Sequence, residues 1–332
     1  MRQCYRFAAL LGLLLASVCL FSCQKSLHEA TEEYIFVGSN INIPYWQEAR
    51  AGFMDAANGM GVKAEVLGPT INSAHEEVNA FREAVTKHPT GIILAPGRPE
   101  LFTMAINSAI ASGIPVVTID SDAPDSRRLM YIGTDNRQAG IESGKQIAAL
   151  MRGRGRLAVI TVPAQHNLEE RLRGVQEVLA NYKDIKITAT LDDEGSPKTA
   201  DEALTGLLKK GDGIDGVVCL EASGGPGAGD ALRRVGRDGK VPVVAMDTNV
   251  ETLDYVRQRV ISATIAQKPY TMAFYGVRFL DDLHHGIVHE FKNWRTAPVL
   301  PLPARVDTGT TVINMENLVA FRAATEGRTK AN

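Results

Sequence analysis

The chain has 332 residues, of which 45% are apolar and 22% charged, and its formal net charge is -2. It is longer than one ordinary hydrophobic core needs and suits two domains of a globular protein. Near-neutral charge and the lack of any long Lys or Arg run exclude a phosphate-tracking surface, so no nucleic-acid partner is expected.

The N-terminus differs in kind from the rest. Arg2 and Arg6 flank the start of an apolar run over 7–21, followed by Ser22, Cys23 and the polar Gln24, Lys25 and Ser26. A positive start, a short apolar stretch and a small-residue exit read as a secretory signal peptide over 1–22. The run falls short of the ~20 residues that a membrane span requires, and no second run of that length follows. Leu20-Phe21-Ser22-Cys23 resembles a bacterial lipobox, which implies that Cys23 is acylated and begins the mature chain. An ordinary signal peptide cleaved nearby, with Cys23 incidental, is the alternative. Multiple acyl chains on Cys23 would hold the protein at a membrane, where one chain alone anchors poorly. Of the four cysteines, Cys4 and Cys19 leave with the signal peptide, and Cys219 sits in an apolar run as a small buried hydrophobe. No disulfide framework or zinc spacing remains.

Residues 23–33 form a lipidated polar tether in this reading. Short apolar runs follow at 34–37, 64–67, 91–94, 116–119, 157–162, 185–187, 217–220, 243–246 and 261–265. They are continuous rather than alternating, as in strands buried on both faces. Helical patterns lie between them. Over 46–60, Trp46, Ala49, Phe53, Ala57 and Met60 recur at spacings of three and four. Such alternation predicts parallel sheets with right-handed crossovers. An internal repeat is also present. Pro115-Val116-Val117-Thr118-Ile119-Asp120 is echoed by Pro242-Val243-Val244-Ala245-Met246-Asp247, and Gly91-Ile92-Ile93-Leu94 by Gly216-Val217-Val218-Cys219. Two matches in register predict two similar α/β lobes, each a doubly wound parallel sheet, with a boundary near Thr134 and Asp135. After the second copy come a helical pattern over 268–285 and an extended stretch with Pro298, Pro301 and Pro303, able to cross back between lobes.

Parallel α/β sheets bind ligands beyond the carboxyl ends of their strands. Those positions hold Ser39, Asn40, Asn42, Pro44, Tyr45 and Trp46, then Asp120, Ser121 and Asp122, then Gln165, His166 and Asn167, then Glu221, Asp247, Thr248, Asn249 and Gln267. The inventory suits a sugar. Ionised carboxylates accept strong bonds from hydroxyls, amides donate and accept, and an aromatic plane packs on the C–H face of a ring. Helix capping competes as an explanation for Asp122, Asp135 and Asn249. Tyr45 and Trp46 have a rival reading as core. His166 and the pair His284-His285 read as surface, and no metal or cofactor is expected. Gly224-Gly225-Pro226-Gly227 lacks the Lys of a P-loop and reads as a tight turn entering a helix.

With these residues the chain resembles the periplasmic sugar-binding proteins of the ribose-binding type, the substrate receptors of bacterial ABC importers. The resemblance runs from about Tyr34 to Val312. It is carried by Ser39…Asn42-Ile43-Pro44-Tyr45-Trp46, the segment ending at Asp120, Ile132-Gly133-Thr134-Asp135-Asn136, Arg171-Leu172-Arg173-Gly174 and Ala263-Thr264-Ile265-Ala266-Gln267. It implies a three-segment hinge near Thr134, near 267–268 and at 301–305. The N-terminal lobe would be 34–134 plus 268–302, and the C-terminal lobe 135–267 plus 303–325. It also implies aromatics at Tyr45 and Trp46 that sandwich a sugar ring, hydroxyl binding by Asp120, Asp247 and Gln267, and a cleft position at Ser39. Members usually carry Asn at Ile43, Arg at Ser121, Arg near Glu169 and Asn at Glu221. Ligand-binding expectations therefore fall on Ser39, Asn42, Tyr45, Trp46, Asp120, Ser121, Glu169, Glu221, Asp247 and Gln267, in a cleft more acidic than usual. Glu169 and Glu221 open the option of an amino sugar beside a pentose, hexose or polyol.

The expected protein is a monomeric receptor in the periplasm or cell envelope. It is anchored through Cys23 and passes ligand to an ABC permease in the inner membrane. A subunit presenting ligand to a chemoreceptor or histidine kinase is the alternative. A glycosidase built on paired carboxylates is a weaker rival without a nucleophile motif. A repressor would need a helix-turn-helix domain where the signal peptide stands.

Overall fold

A computed structural model describes residues 27–211, 213–287, 293–300 and 302–326. The expected signal peptide over 1–22 and the acylated Cys23 lie outside the described residues.

The first half of the chain alternates strand and helix: β1 Glu33–Val37, α1 Pro44–Met60, β2 Lys63–Leu67, α2 Ala74–Thr86, β3 Gly91–Leu94, α3 Pro99–Ala111, β4 Val116–Ile119 and β5 Tyr131–Gly133. The second half repeats the scheme: α4 Asn136–Leu150, β6 Arg154–Thr161, α5 His166–Leu179, β7 Asp184–Asp192, α6 Pro197–Lys209, β8 Gly216–Cys219, α7 Gly224–Arg234, β9 Val243–Met246, α8 Val250–Arg257 and β10 Ala263–Ala266. The chain then returns through α9 Pro269–His284, β11 Arg305–Asp307, β12 Thr311–Asn314 and α10 Leu318–Glu326.

Among the described residues two six-stranded sheets result, ordered β11-β5-β4-β3-β1-β2 and β12-β10-β9-β8-β6-β7. The orders are equivalent strand for strand, so the sequence repeat is a repeat of topology. In each sheet the order of strands reverses, between β1 and β3 in the first and between β6 and β8 in the second, which opens a crevice beyond the strand ends. The strand pairings among the described residues are parallel except the last, where β12 runs antiparallel to β10. Strands β3, β4, β8, β9 and β10 are buried along their whole length, which is why their sequences are continuous apolar runs. The expected α/β class of two similar doubly wound lobes is the fold the chain adopts.

Helix α9 packs on α1, β3 and β4 of the first sheet, whereas α4 packs on α5, β8, β9 and β10 of the second. The chain therefore passes between lobes at 134–135 and again at 267–268. The third passage departs from the expectation of 301–305. Arg305, Val306 and Asp307 pair with Tyr131, Ile132 and Gly133 in the first sheet, which moves the passage to 308–310. A three-residue edge strand of sequence Arg-Val-Asp carries no apolar run from which to read it.

Helices α4 and α5 approach unusually closely. A Cβ on Gly140 would lie 1.9 Å from the Arg171 carbonyl oxygen, and one on Gly174 would lie 2.2 Å from that of Arg137. These two glycines let the backbones touch and so fix where Arg171 stands.

Candidate ligand-binding site

Asp120 follows β4 and Asp247 follows β9, at matching places in the repeat. Both adopt a left-handed backbone, with φ of 61° and 66°. That conformation costs a non-glycine residue ~1–2 kcal/mol and persists only where its surroundings hold it. Here the restraints repeat too. The Asp120 N–H donates to Ile132 (3.2 Å) and its carbonyl accepts from the Tyr131 hydroxyl (2.9 Å). The Asp247 N–H donates to Ile265 (2.9 Å) and its carbonyl accepts from the Thr264 hydroxyl (2.7 Å).

The two aspartates line one cavity between the lobes, of about 70 Å³. A single water needs about 10–15 Å³ on the same measure, so this is room for several waters or a small polar ring. Ser39, Tyr45, Trp46, Ser121, Glu221 and Gln267 share its wall. The Tyr45 hydroxyl donates to Asp120. The Asn167 amide reaches Asp120 from the opposite lobe at 3.4 Å. The hydroxyl oxygen of Ser121 is buried without a hydrogen-bond partner in the protein, as suits a group that a ligand satisfies.

Two expected positions lie elsewhere. Asn42 is exposed, with its amide near the Thr70 carbonyl at 3.4 Å, while the next residue, Ile43, turns into the cavity. Glu169 is exposed on α5 and lines a separate cavity beside His166. Two residues along a helix rotate by ~200°, so Glu169 must point away if Arg171 points in. The aromatic sandwich is also corrected. The Tyr45 and Trp46 rings meet edge to face at 86° with centroids 5.0 Å apart, which leaves no parallel slot between them. Of the candidate caps, Asp135 accepts from the Gln138 N–H at the start of α4, Asp122 pairs with Arg128, and the Asn249 amide donates to Ala222. Cys219 is a free, buried thiol.

The sequence reading quotes Arg171 within a segment of the resemblance but does not place it in the cleft; it is 2% exposed. Its guanidinium donates to Asn136 (2.9 Å), to the Leu220 carbonyl (2.8 Å) and to Gln267 (2.8 Å), and the Gln267 amide in turn donates to Asp247 (2.9 Å). The arginine expected to be missing near Glu169 is thus present two residues on. The signal in the sequence is the 171–174 segment itself, whose Gly174, one turn further along α5, is the point of contact with α4. Asn167 and Gln165 also line the cavity.

Charge in the cavity is balanced tightly. Burial raises Asp120, and the Arg171 charge and the Tyr45 hydroxyl pull it back. Burial carries Asp247 from 3.8 to about 7, against the Arg171 charge and the Gln267 amide, with Asp120 and Glu221 adding repulsion. The Tyr45 phenol is held protonated by burial and by both aspartates. Glu221 is pushed well up by burial and by Asp193 beside it, although the Ser223 and Gly224 N–H groups donate to its carboxyl. One Asp193 oxygen is buried without a conventional donor. Burial and the neighbouring Asp193 both favour the neutral form of the Glu221 carboxyl.

Residues 34–286 match a family model described as a periplasmic binding protein domain. A sugar-binding protein of a sugar ABC transporter from Bacillus halodurans is 35% identical in structure-based comparison, with a TM-score of 0.78, covering 87% of this chain and all of that one. The D-allose-binding periplasmic protein of Escherichia coli is 24% identical over 263 residues, 76% of this chain and 85% of that protein. A solved structure named XylFII-LytSN complex is 29% identical, with a TM-score of 0.78 over 87% of this chain and 99% of that one. The first two carry the names of binding proteins rather than enzymes.

Proposed function

The chain belongs to the periplasmic binding protein domain family, and on that premise we propose that it is an extracytoplasmic receptor. It captures a small neutral sugar or polyol between its lobes and delivers it to the permease of an ABC importer, without chemistry on the ligand. One observation carries this reading: matching left-handed aspartates, one from each lobe, face a shared cavity that also holds an arginine whose charge acts on both.

Hydroxyls both donate and accept, and the cavity offers the complement. Asp120 and Asp247 accept, the Arg171 guanidinium donates, and Ser121, Asn167 and Gln267 do either. Ser39, Tyr45 and Trp46 supply further wall, with an aromatic face for one side of a ring. Because Asp120 and Asp247 belong to different lobes, a ligand that bonds both stabilises the shut state by whatever it gains there over the open one. A missing hydroxyl would leave one of these buried groups unpaired, which makes the site selective. The amino-sugar option is weakened, since Glu169 faces elsewhere and burial and Asp193 favour the neutral form of Glu221.

We further read the molecule as a monomer held at the cell envelope through acylated Cys23, with its two lobes hinged at 134–135, 267–268 and 308–310. A second reading, presentation of the ligand-bound lobes to another protein such as a sensor, is kept because a similar protein has been solved in a complex, the XylFII-LytSN complex.

A thermal-shift panel of pentoses, hexoses and polyols tests the core of the proposal. A ligand that binds only the native protein raises its melting temperature, and calorimetry should then give one site per chain. If no compound in the panel shifts the melting temperature, the receptor reading fails. Stimulation of a reconstituted permease–ATPase by the loaded protein separates import from sensing.

A further inference from the structure

The first lobe carries a second cluster of chemical groups, at the other end of its sheet from the ligand cavity. The sequence reading puts His284-His285 at the surface, and for His284 the fold agrees. His285 instead turns inward at the end of α9 and meets Asp281, four residues earlier. His28 and Glu32, also four apart, come from the segment that leads into β1. Donor atoms of all four lie within 4.8 Å of one another. Helix α9 spans 16 residues from Pro269, beside Gln267, to His284, so the cluster is about 24 Å from the cavity end of that helix.

We propose that His28, Glu32, Asp281 and His285 form a structural site for a divalent transition-metal ion of the zinc type. The donor set is two imidazole nitrogens and two carboxylate oxygens, which suits that class rather than magnesium or calcium. The spacing fits as well. Ligands held tetrahedrally at ~2.0–2.1 Å from zinc lie about 3.3 Å from each other. The His28 Nε2 lies 3.0 Å from Asp281 Oδ2, and the His285 Nε2 lies 3.2 Å from Glu32 Oε2 and 3.5 Å from Asp281 Oδ1. The carboxylates are buried, at 5% exposure for Glu32 and 4% for Asp281.

Each carboxylate is also oriented by a further donor. The Tyr34 hydroxyl donates to Asp281 Oδ1 (3.1 Å), and the Glu29 N–H donates to Glu32 Oε1 (2.8 Å). That leaves Asp281 Oδ2 and Glu32 Oε2 directed at the imidazoles, as outer hydrogen bonds orient metal ligands. Two carboxylates buried side by side repel, and a divalent cation held between them offsets that repulsion. The ion would pin the segment before β1 to the end of α9 and so fix where the N-terminal tether leaves the lobe.

The test uses the full-length, untagged protein in detergent, stripped with chelator and titrated with zinc chloride by calorimetry. Bound metal is counted by mass spectrometry after desalting. One zinc per chain is expected, with a rise in melting temperature of roughly a few degrees at zinc well above its dissociation constant. His28→Gln, which lies before β1 and outside the lobe core, and His285→Gln should each weaken binding at least about tenfold while circular dichroism stays unchanged. Substoichiometric zinc in the wild type would overturn the site in favour of a metal-free hydrogen-bonded cluster. So would undiminished uptake by His28→Gln, which would place the ion elsewhere.

Discussion

A carboxyl group whose folded value stands at about 7 against an ordinary 3.8 is a liability to the empty protein. Asp247 is such a group. Between those values the native state holds a proton that the unfolded chain has released. Its contribution to stability is therefore present at low pH and is lost as pH rises towards 7. The rise corresponds to roughly 4 kcal/mol as an upper bound. Asp247→Asn should accordingly raise the melting temperature of the ligand-free protein at pH 8, and much less at pH 4, while sugar binding falls beyond detection in calorimetry. Ligand affinity has the opposite pH sense. Hydroxyls donate to the ionised carboxylate, so the dissociation constant should climb as pH drops below about 7, by up to about tenfold per pH unit. A flat profile between pH 8 and pH 5 would remove Asp247 from the binding contacts. This residue and Asp120 could be read from the sequence because a repeat ending twice in Asp singles them out from ordinary helix caps. Arg171 stands out only as part of the resembling segment 171–174; its place in the cavity could not be read, since an arginine on a helix with Glu169, Glu170 and Arg173 looks like a solvated face until the partner helix is known.

That partner contact is a property of elements. Arg171 reaches the cavity because α4 and α5 meet at Gly140 and Gly174, each facing a backbone carbonyl of the other helix. Gly140→Ala places a methyl group against a carbonyl that cannot yield as a side chain would. It should destabilise the fold by roughly 1–3 kcal/mol and, by displacing α5, weaken ligand binding more than tenfold. The control is Gly206→Ala on the exposed face of α6, where a Cβ meets nothing within 4 Å. Helix propensity there favours alanine by about 0.5–1 kcal/mol, so denaturant unfolding should show a gain and calorimetry no change in affinity. Elements differ in legibility for a similar reason. The strands buried on both faces announce themselves as apolar runs. Strands β5, β11 and β12 are three or four residues long, and β11 reads Arg-Val-Asp with its first and last residues exposed. Their membership of a sheet is decided by what lies beside them, so the third passage between lobes reads too early in the sequence.

At the scale of the molecule, the three passages act as one joint. Asp135 in the first donates its N–H to Asp307 at the start of the third (3.0 Å), Thr308 donates to Gly133 (2.8 Å), and Lys268 in the second donates to the Thr308 carbonyl (2.7 Å). On the proposed receptor reading, a joint tied in this way would let the lobes swing together while resisting sliding, and motion about it would bring Asp120 towards Asp247 or part them. The mechanism then makes a demand on each carboxylate separately. A ligand can rest against one lobe through Asp247, Arg171 and Gln267 alone, but it gains from closure only if the first lobe supplies Asp120. Saturating ligand should therefore lower the radius of gyration of the wild-type protein in small-angle scattering. Asp120→Ala should bind weakly and show no such compaction even at saturation, because a ligand with equal affinity for open and shut forms shifts neither. If the wild type binds its sugar without compaction, or Asp120→Ala compacts as fully, the cavity is a fixed pocket and closure is not what a permease reads.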